Sequence, residues 1–169
     1  MRLLIASFLT VLLTFSVFAQ SNKRGKPLAQ TFSVTSLEQK KFDLAELKGK
    51  VVLLTFWSTR CPICASEIPK LNKIAASYAG KDVVFLGLSA ENEAKVKSHL
   101  KKKPFDFNII PNSFDMVLKY ADKDRDGNVA MGYPAYYLIN QRGEIELKAN
   151  GYDKTVTIDK QINQLLTTK

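Results

Sequence analysis

The chain has 169 residues, 46% hydrophobic and 24% charged, with Lys+Arg 25 against Asp+Glu 16 and a net charge of +9. That length suits one ordinary domain, so high an apolar share excludes a disordered chain, and 8 glycines with 6 prolines exclude collagen-like or low-complexity protein. Two cysteines cannot staple a multi-bridge scaffold, and with 1 histidine they cannot fill a four-ligand Cys/His zinc site.

Met1-Arg2 is a short basic start, and Leu3 to Phe18 is an apolar run broken by Ser7, Thr10, Thr14 and Ser16. Val17-Phe18-Ala19 then places small or modest residues before a cut ahead of Gln20. Residues 1–19 thus read as a secretory signal peptide; the run is shorter than the ~20 residues of a membrane span. Cleavage removes only one charge, Arg2, and leaves 150 residues at +8. If retained, the segment is a membrane anchor. Either way the chain is expected in the periplasm or cell envelope, where disulfide chemistry is open to its cysteines.

Residues 20–30 form a polar, basic lead-in, and 31–169 the folded domain. Thr31 to Phe42 reads as a small hairpin turning at Glu38-Gln39-Lys40. Leu44 and Leu47 fit one short helical turn. Val51 to Trp57 is an apolar run of strand length, as expected of a strand covered on both faces. Beyond the Cys61-Pro62-Ile63-Cys64 segment, the residues Cys64, Ile68, Leu71, Ala75 and Tyr78 recur at helical spacing, with Gly80 as a stop. Pro69 falls inside that helix and should kink it. Val83 to Leu88 is a second strand. Glu91 to Lys103 is a charged helix ended by Pro104. Ser113 to Tyr120 is a shorter helix with Met116, Val117 and Tyr120 inward. Asp122 to Gly132 is a polar loop. Ala135 to Ile139 and Glu144 to Lys148 are strands joined at Asn140-Gln141-Arg142-Gly143. Thr155 to Leu166 closes the chain as a helix, with Ile158, Ile162, Leu165 and Leu166 inward. There is no internal repeat and no second domain. Strands separated by helices imply parallel pairing, and the tight turn near Gln141 an antiparallel pair. The expected architecture is α/β: a mixed central sheet with helices on both faces, preceded by the β-hairpin.

The chemistry centres on Cys61 and Cys64, at a strand-to-helix junction. The first turn of a helix has unpaired N–H groups and the positive end of the macrodipole, which favour a thiolate. Pro62 fits that turn, where its missing N–H costs nothing. Two intervening residues let Cys64 reach the sulfur of Cys61. A static disulfide closing so small a loop would add little stability. Half of a zinc or copper site lacks partners, since His99 is the only other strong nitrogen ligand. Redox chemistry is the reading this context favours.

The segment Phe56-Trp57-Ser58-Thr59-Arg60-Cys61-Pro62-Ile63-Cys64-Ala65-Ser66-Glu67-Ile68-Pro69 resembles the active-site signature of the thioredoxin superfamily, and within it the TlpA/ResA-like exported thiol-disulfide oxidoreductases. Lys48-Gly49-Lys50-Val51-Val52 leads into the strand as in that group. Gly132-Tyr133-Pro134 before Ala135 to Asn140 is similar to its second signature. The resemblance implies a thioredoxin-like fold and a catalytic set of Cys61, Cys64, Pro134 and Glu67. Pro134 would carry a cis peptide bond against the cysteine pair, leaving the Tyr133 backbone free for a substrate strand. Glu67 would manage protons near the cysteines; a surface helix glutamate is the alternative. Trp57, Arg60, Pro62, Ile63 and Tyr133 are the implied substrate-facing residues. Arg60 stands where the group often has Trp, and a cation there favours the Cys61 thiolate; a solvated surface Arg is the alternative. Proline more often holds the second place between the cysteines in this group. Related sites span roughly −270 to −120 mV, so this departure bears on the potential. No bound cofactor or metal is expected beyond the cysteine couple. The implied partners are protein disulfide substrates and a membrane thiol-relay electron donor, with the chain a monomer and a reductase favoured over an oxidase. The rivals are a thiol peroxidase, for which Pro-x-x-x-Thr-x-x-Cys is lacking before Cys61, and a redox-inactive binding module.

Asp122-Lys123-Asp124-Arg125-Asp126-Gly127-Asn128-Val129 resembles the start of a calcium loop, but Tyr133 stands where a bidentate Glu is needed. A polar Asp/Gly turn is the simpler reading. His99 is expected to be solvated among Lys97, Lys101, Lys102 and Lys103. No nucleic-acid motif accompanies these lysines or Lys23-Arg24-Lys26, so no nucleic-acid partner is expected.

Overall fold

The computed structural model describes residues 25–168; the expected signal peptide (1–19) and the first lead-in residues (20–24) lie outside the described residues. Strands β1 (Ser33–Thr35) and β2 (Lys41–Asp43) pair antiparallel, with Val34 opposite Phe42. One turn follows, closed by the Leu47 N–H on the Asp43 carbonyl at 3.1 Å. Strand β3 (Val51–Phe56) is buried at every residue, as a continuous apolar run requires. Helix α1 (Pro62–Ser77) turns Cys64, Ile68 and Leu71 inward; Ile74 takes the buried place that the spacing assigned to Ala75. Pro69 lies inside this helix.

Strand β4 (Val83–Leu88) runs parallel to β3. Helix α2 (Glu93–Leu100) is shorter than its charged segment, because the Asn92 side chain caps it by accepting from the Lys95 N–H at 2.9 Å. A strand absent from the sequence reading, β5 (Asn108–Ile110), then pairs parallel with β4. Three residues are too few for a periodicity to show. Helix α3 (Phe114–Tyr120) buries Met116, Val117 and Tyr120 as expected. The polar loop contains a second unforeseen feature: β6 (Asp122–Lys123) and β7 (Val129–Ala130) pair antiparallel. The Asp124 carboxylate organises the turn, accepting from the N–H groups of Asp126 and Asn128 and from the Asn128 amide. It is the Asp/Gly turn of the simpler reading. Strands β8 (Ala135–Ile139) and β9 (Ile145–Asn150) form the expected hairpin, and α4 (Thr155–Thr167) buries Ile158 and Ile162.

The central sheet has the order β5-β4-β3-β8-β9, with β8 antiparallel to β3. Alternation along β3 builds two cores. Val51, Leu53 and Trp57 pack with α1, α4 and Val96 of α2. Val52, Leu54 and Phe56 pack with α3 and with Phe32 and Phe42 of the hairpin. The expected α/β architecture is thus present. Upstream, Leu28 bridges Glu144; Ala29 N–H bonds the Gly143 carbonyl at 2.9 Å, and Ile145 N–H bonds the Pro27 carbonyl at 2.8 Å. This short strap covers the start of the β9 edge.

Candidate active site

The central strand β3 delivers the cysteines. After Trp57 the chain turns through Ser58 to Arg60, and the Cys61 N–H bonds the Ser58 carbonyl at 3.1 Å. Cys61 is the N-cap of α1, in extended backbone conformation, and its sulfur accepts from the Cys64 N–H at 3.0 Å. Pro62 occupies the first helical turn. The two cysteines form a disulfide, with Cα atoms 5.2 Å apart. They are unequal: Cys61 is half-buried and reachable, whereas Cys64 is buried. On reduction, the accessible sulfur is therefore the one at the helix N-terminus, where a thiolate is favoured.

The turn before Cys61 is anchored by a residue the sequence reading missed. Glu91 accepts from the Thr59 N–H at 2.7 Å and from Thr59 Oγ1 at 2.8 Å, and Ser89 Oγ lies 3.3 Å away. Lys95 Nζ lies 2.5 Å from it, and Arg60 Nε 4.0 Å. Burial opposes its ionisation, but the hydrogen bonds from Lys95 and Thr59 win and hold its carboxyl down at about 2. Arg60 thus reaches towards Glu91 while its side chain stays 83% exposed.

Trp57, expected among the substrate-facing residues, lies instead beneath the turn and is buried. Its ring packs 5.6 Å from those of His99 and Phe105. Gly87 makes this packing fit: a Cβ there would come 2.8 Å from Ile109 Cδ1 and 3.4 Å from Trp57 Nε1. His99 consequently turns inward against Trp57 rather than being solvated among the lysines. Burial first, and then Lys103, hold its imidazole below its ordinary value.

Pro62 and Ile63 are exposed beside the disulfide. The β3–β8 register pairs Phe56 with Ala135, which places Tyr133 and Pro134 at the same end of the sheet as the cysteines. The Tyr133–Pro134 peptide bond is cis. Pro134 is buried and Tyr133 half-buried. Burial and the nearby Glu91 charge both push the Tyr133 phenol up.

Glu67, one helical turn beyond Cys64, is no surface residue: its side chain is 0% exposed. Oε1 accepts from Lys70 Nζ at 2.9 Å, whereas Oε2 is buried without a partner. Thr55 Oγ1 and Tyr136 Oη are likewise buried and unpartnered. Thr55 and Tyr136 are directly opposite across β3 and β8, on the sheet face that α1 covers. Burial and the Glu67 charge push the Tyr136 phenol well above its ordinary value. Glu67 is thus a buried carboxylate with one unpartnered oxygen, one helical turn beyond the buried Cys64.

Among the described residues no group of three or more His, Cys, Asp or Glu could hold a metal ion. Two surface clefts, one bounded by Lys26, Asn140 and Gln164 and one by Asn72, Tyr78 and Asn108, lie away from the cysteines. The exposed rim of Pro62 and Ile63 offers contact area instead.

Residues 23–166 match the Redoxin family model. The chain belongs to the Redoxin family. Within this family it is a thiol-disulfide oxidoreductase of the ResA type. It is 36% identical over 125 residues to a thiol-disulfide oxidoreductase ResA of Bacillus cereus, covering 73% of this chain and 68% of that one. It is 34% identical over 88 residues to the soluble secreted antigen MPT53 of Mycobacterium bovis, covering 52% of this chain and 49% of that protein. The Redoxin shares its fold with a thiol:disulfide interchange protein of the thioredoxin family from Chlorobium tepidum TLS. The TM-score is 0.71 at 24% identity, over 84% of this chain and 97% of that one.

Proposed function

We propose that this Redoxin is an exported disulfide reductase of envelope proteins. The observation that carries the reading is the inequality of the couple: a reachable Cys61 at a helix N-terminus, a buried Cys64, and buried Glu67 one turn on. In the dithiol state the Cys61 thiolate attacks a substrate disulfide. A mixed disulfide forms, the substrate S–S bond breaks, and one substrate sulfur leaves as thiolate. Cys64 gives its proton to Glu67 and attacks Cys61. The Cys61–Cys64 bond closes and the second substrate sulfur departs. Two electrons have passed to the substrate, and a membrane thiol-relay donor returns them.

Pro62, Ile63, Arg60 and the Tyr133 backbone form the substrate-facing rim, with Pro134 beside it. Trp57 supports that rim from beneath. Export rests on the leader pattern of residues 1–19 and on the relative named as a secreted antigen. Among the described residues no helix is long and apolar enough to cross a membrane. The chain acts as a monomer without a bound cofactor.

Insulin reduction driven by dithiothreitol tests the reading. Wild type accelerates it, and Cys61→Ser falls to the uncatalysed rate. Equal rates for the two would overturn a redox function and leave the redox-inactive binding module. Peroxide consumption at a rate above that of insulin reduction would instead favour the peroxidase.

A further inference from the structure

Glu67 is buried, yet its outer oxygen is tied to a cation that reaches it from solvent. Lys70 Nζ sits 2.9 Å from Glu67 Oε1, with the lysine side chain 41% exposed and the glutamate 0%. The ammonium has two further neighbours, both in the loop between β9 and α4. Asp153 Oδ1 is 3.8 Å away, and the Tyr152 ring centroid 4.6 Å. Asp153 adopts a positive φ of 60°, a conformation that a short polar side chain tolerates better than most. A charged group in a buried site persists only with a partner.

We infer that Lys70, seated by Tyr152 and Asp153, is a positioning residue that clamps the outer oxygen of Glu67 and keeps its inner oxygen free to take the Cys64 proton. This rests on the proton-accepting role proposed for Glu67. The groups facing that carboxylate are few. Lys70 lies on the outside, with Asp153 and Tyr152 behind it. Tyr136 lies inside on β8, and the cysteines precede Glu67 on α1. Lys73 and Asp159 border the same outer cleft as Lys70. The hydrogen bond to Glu67 is the main cause that raises the Lys70 ammonium above its ordinary value, so the clamp stays charged across neutral pH. Without it the buried carboxylate loses the hydrogen bond that fixes Oε1 and orients the side chain.

The test isolates the step that needs Cys64. Reduced protein reacts with the aromatic disulfide DTNB in two phases. In the first, Cys61 releases one thionitrobenzoate and keeps the other as a mixed disulfide. In the second, Cys64 loses its proton, attacks Cys61 and expels the remaining thionitrobenzoate, closing the Cys61–Cys64 bond. The second-phase rate is followed from pH 5 to 9 in wild type, Lys70→Met, Lys70→Arg and Glu67→Gln. Lys70→Met should slow this phase roughly tenfold at pH 7 and move its acid limb to higher pH. Lys70→Arg should restore it, and circular dichroism should show all variants folded. If Glu67→Gln alters the profile and Lys70→Met does not, the clamp is overturned and the base role stands. If neither alters it, the base role falls and the clamp with it. If Lys70→Arg behaves as Lys70→Met does, a charge clamp is overturned.

Discussion

Two carboxylates flank the disulfide, and they are treated in opposite ways. Glu91 accepts from Thr59 and Lys95, with Ser89 close by, on the side of the turn that leads into Cys61. Glu67, behind Cys64, has a single partner for one oxygen and none for the other. A fully bonded carboxylate gains little by taking a proton and loses its bonds if it does. A half-bonded one in a buried site has room to change state. The difference separates a residue that holds the loop from one proposed to work in the reaction.

Replacing each in turn should expose that division. Glu91→Gln should cost about 1–3 kcal/mol in denaturant unfolding, because it weakens charge-assisted bonds to the turn. Glu67→Gln should change stability by less while slowing resolution of the mixed disulfide. Equal stability losses would erase the contrast.

The pH dependence should follow the same line. Glu91 is depressed from 4.5 to about 2 in the folded protein. Its contribution is therefore present above its unfolded value and is lost as pH falls from 4.5 towards 2. That loss is on the order of 2 kcal/mol. Unfolding measured at pH 6 and pH 3 should show the decline in wild type and a smaller one in Glu91→Gln.

Thr59→Val, which removes only the hydroxyl donor to Glu91, should cost about 1 kcal/mol by the same unfolding assay. Tyr136→Phe should be the mildest, within about 0.5 kcal/mol of wild type or slightly stabilising, since its buried hydroxyl has no partner to lose. A loss as large as that of Thr59→Val would mean that the Tyr136 hydroxyl is bonded and the Glu67 side better satisfied than Glu91 makes it look by contrast.

Much of the scaffold was legible because long apolar runs report burial directly. Val51 to Phe56, Val83 to Leu88 and Ala135 to Ile139 are strands where alternation gives way to continuous hydrophobicity. The strand at Asn108 was not, because its three residues gain their meaning from β4. The pair at Asp122 and Val129 is shorter still. The cysteines were legible from their spacing and junction. Glu91 was not: in Ala90-Glu91-Asn92-Glu93 it looks like one solvated acid among several, and its partner Thr59 is 32 residues away. His99 was misplaced for the complementary reason. Its lysine neighbours suggested water, but the ring fills space beside Trp57. Burial of a charged or polar residue is a tertiary property, and no local pattern announces it.

The strap of Pro27 to Ala29 has a consequence for self-association. A strand at the margin of a sheet offers unsatisfied amides to any other extended chain. At the start of β9 those groups are already taken by the molecule's own upstream residues, and β5, at the far margin, is only three residues long between Pro104 and Pro111. A version beginning at Thr31 would uncover the first rungs of β9 and present them to its neighbours. Such a truncation should stay folded yet become prone to clumping on storage, a liability that the strap keeps in check.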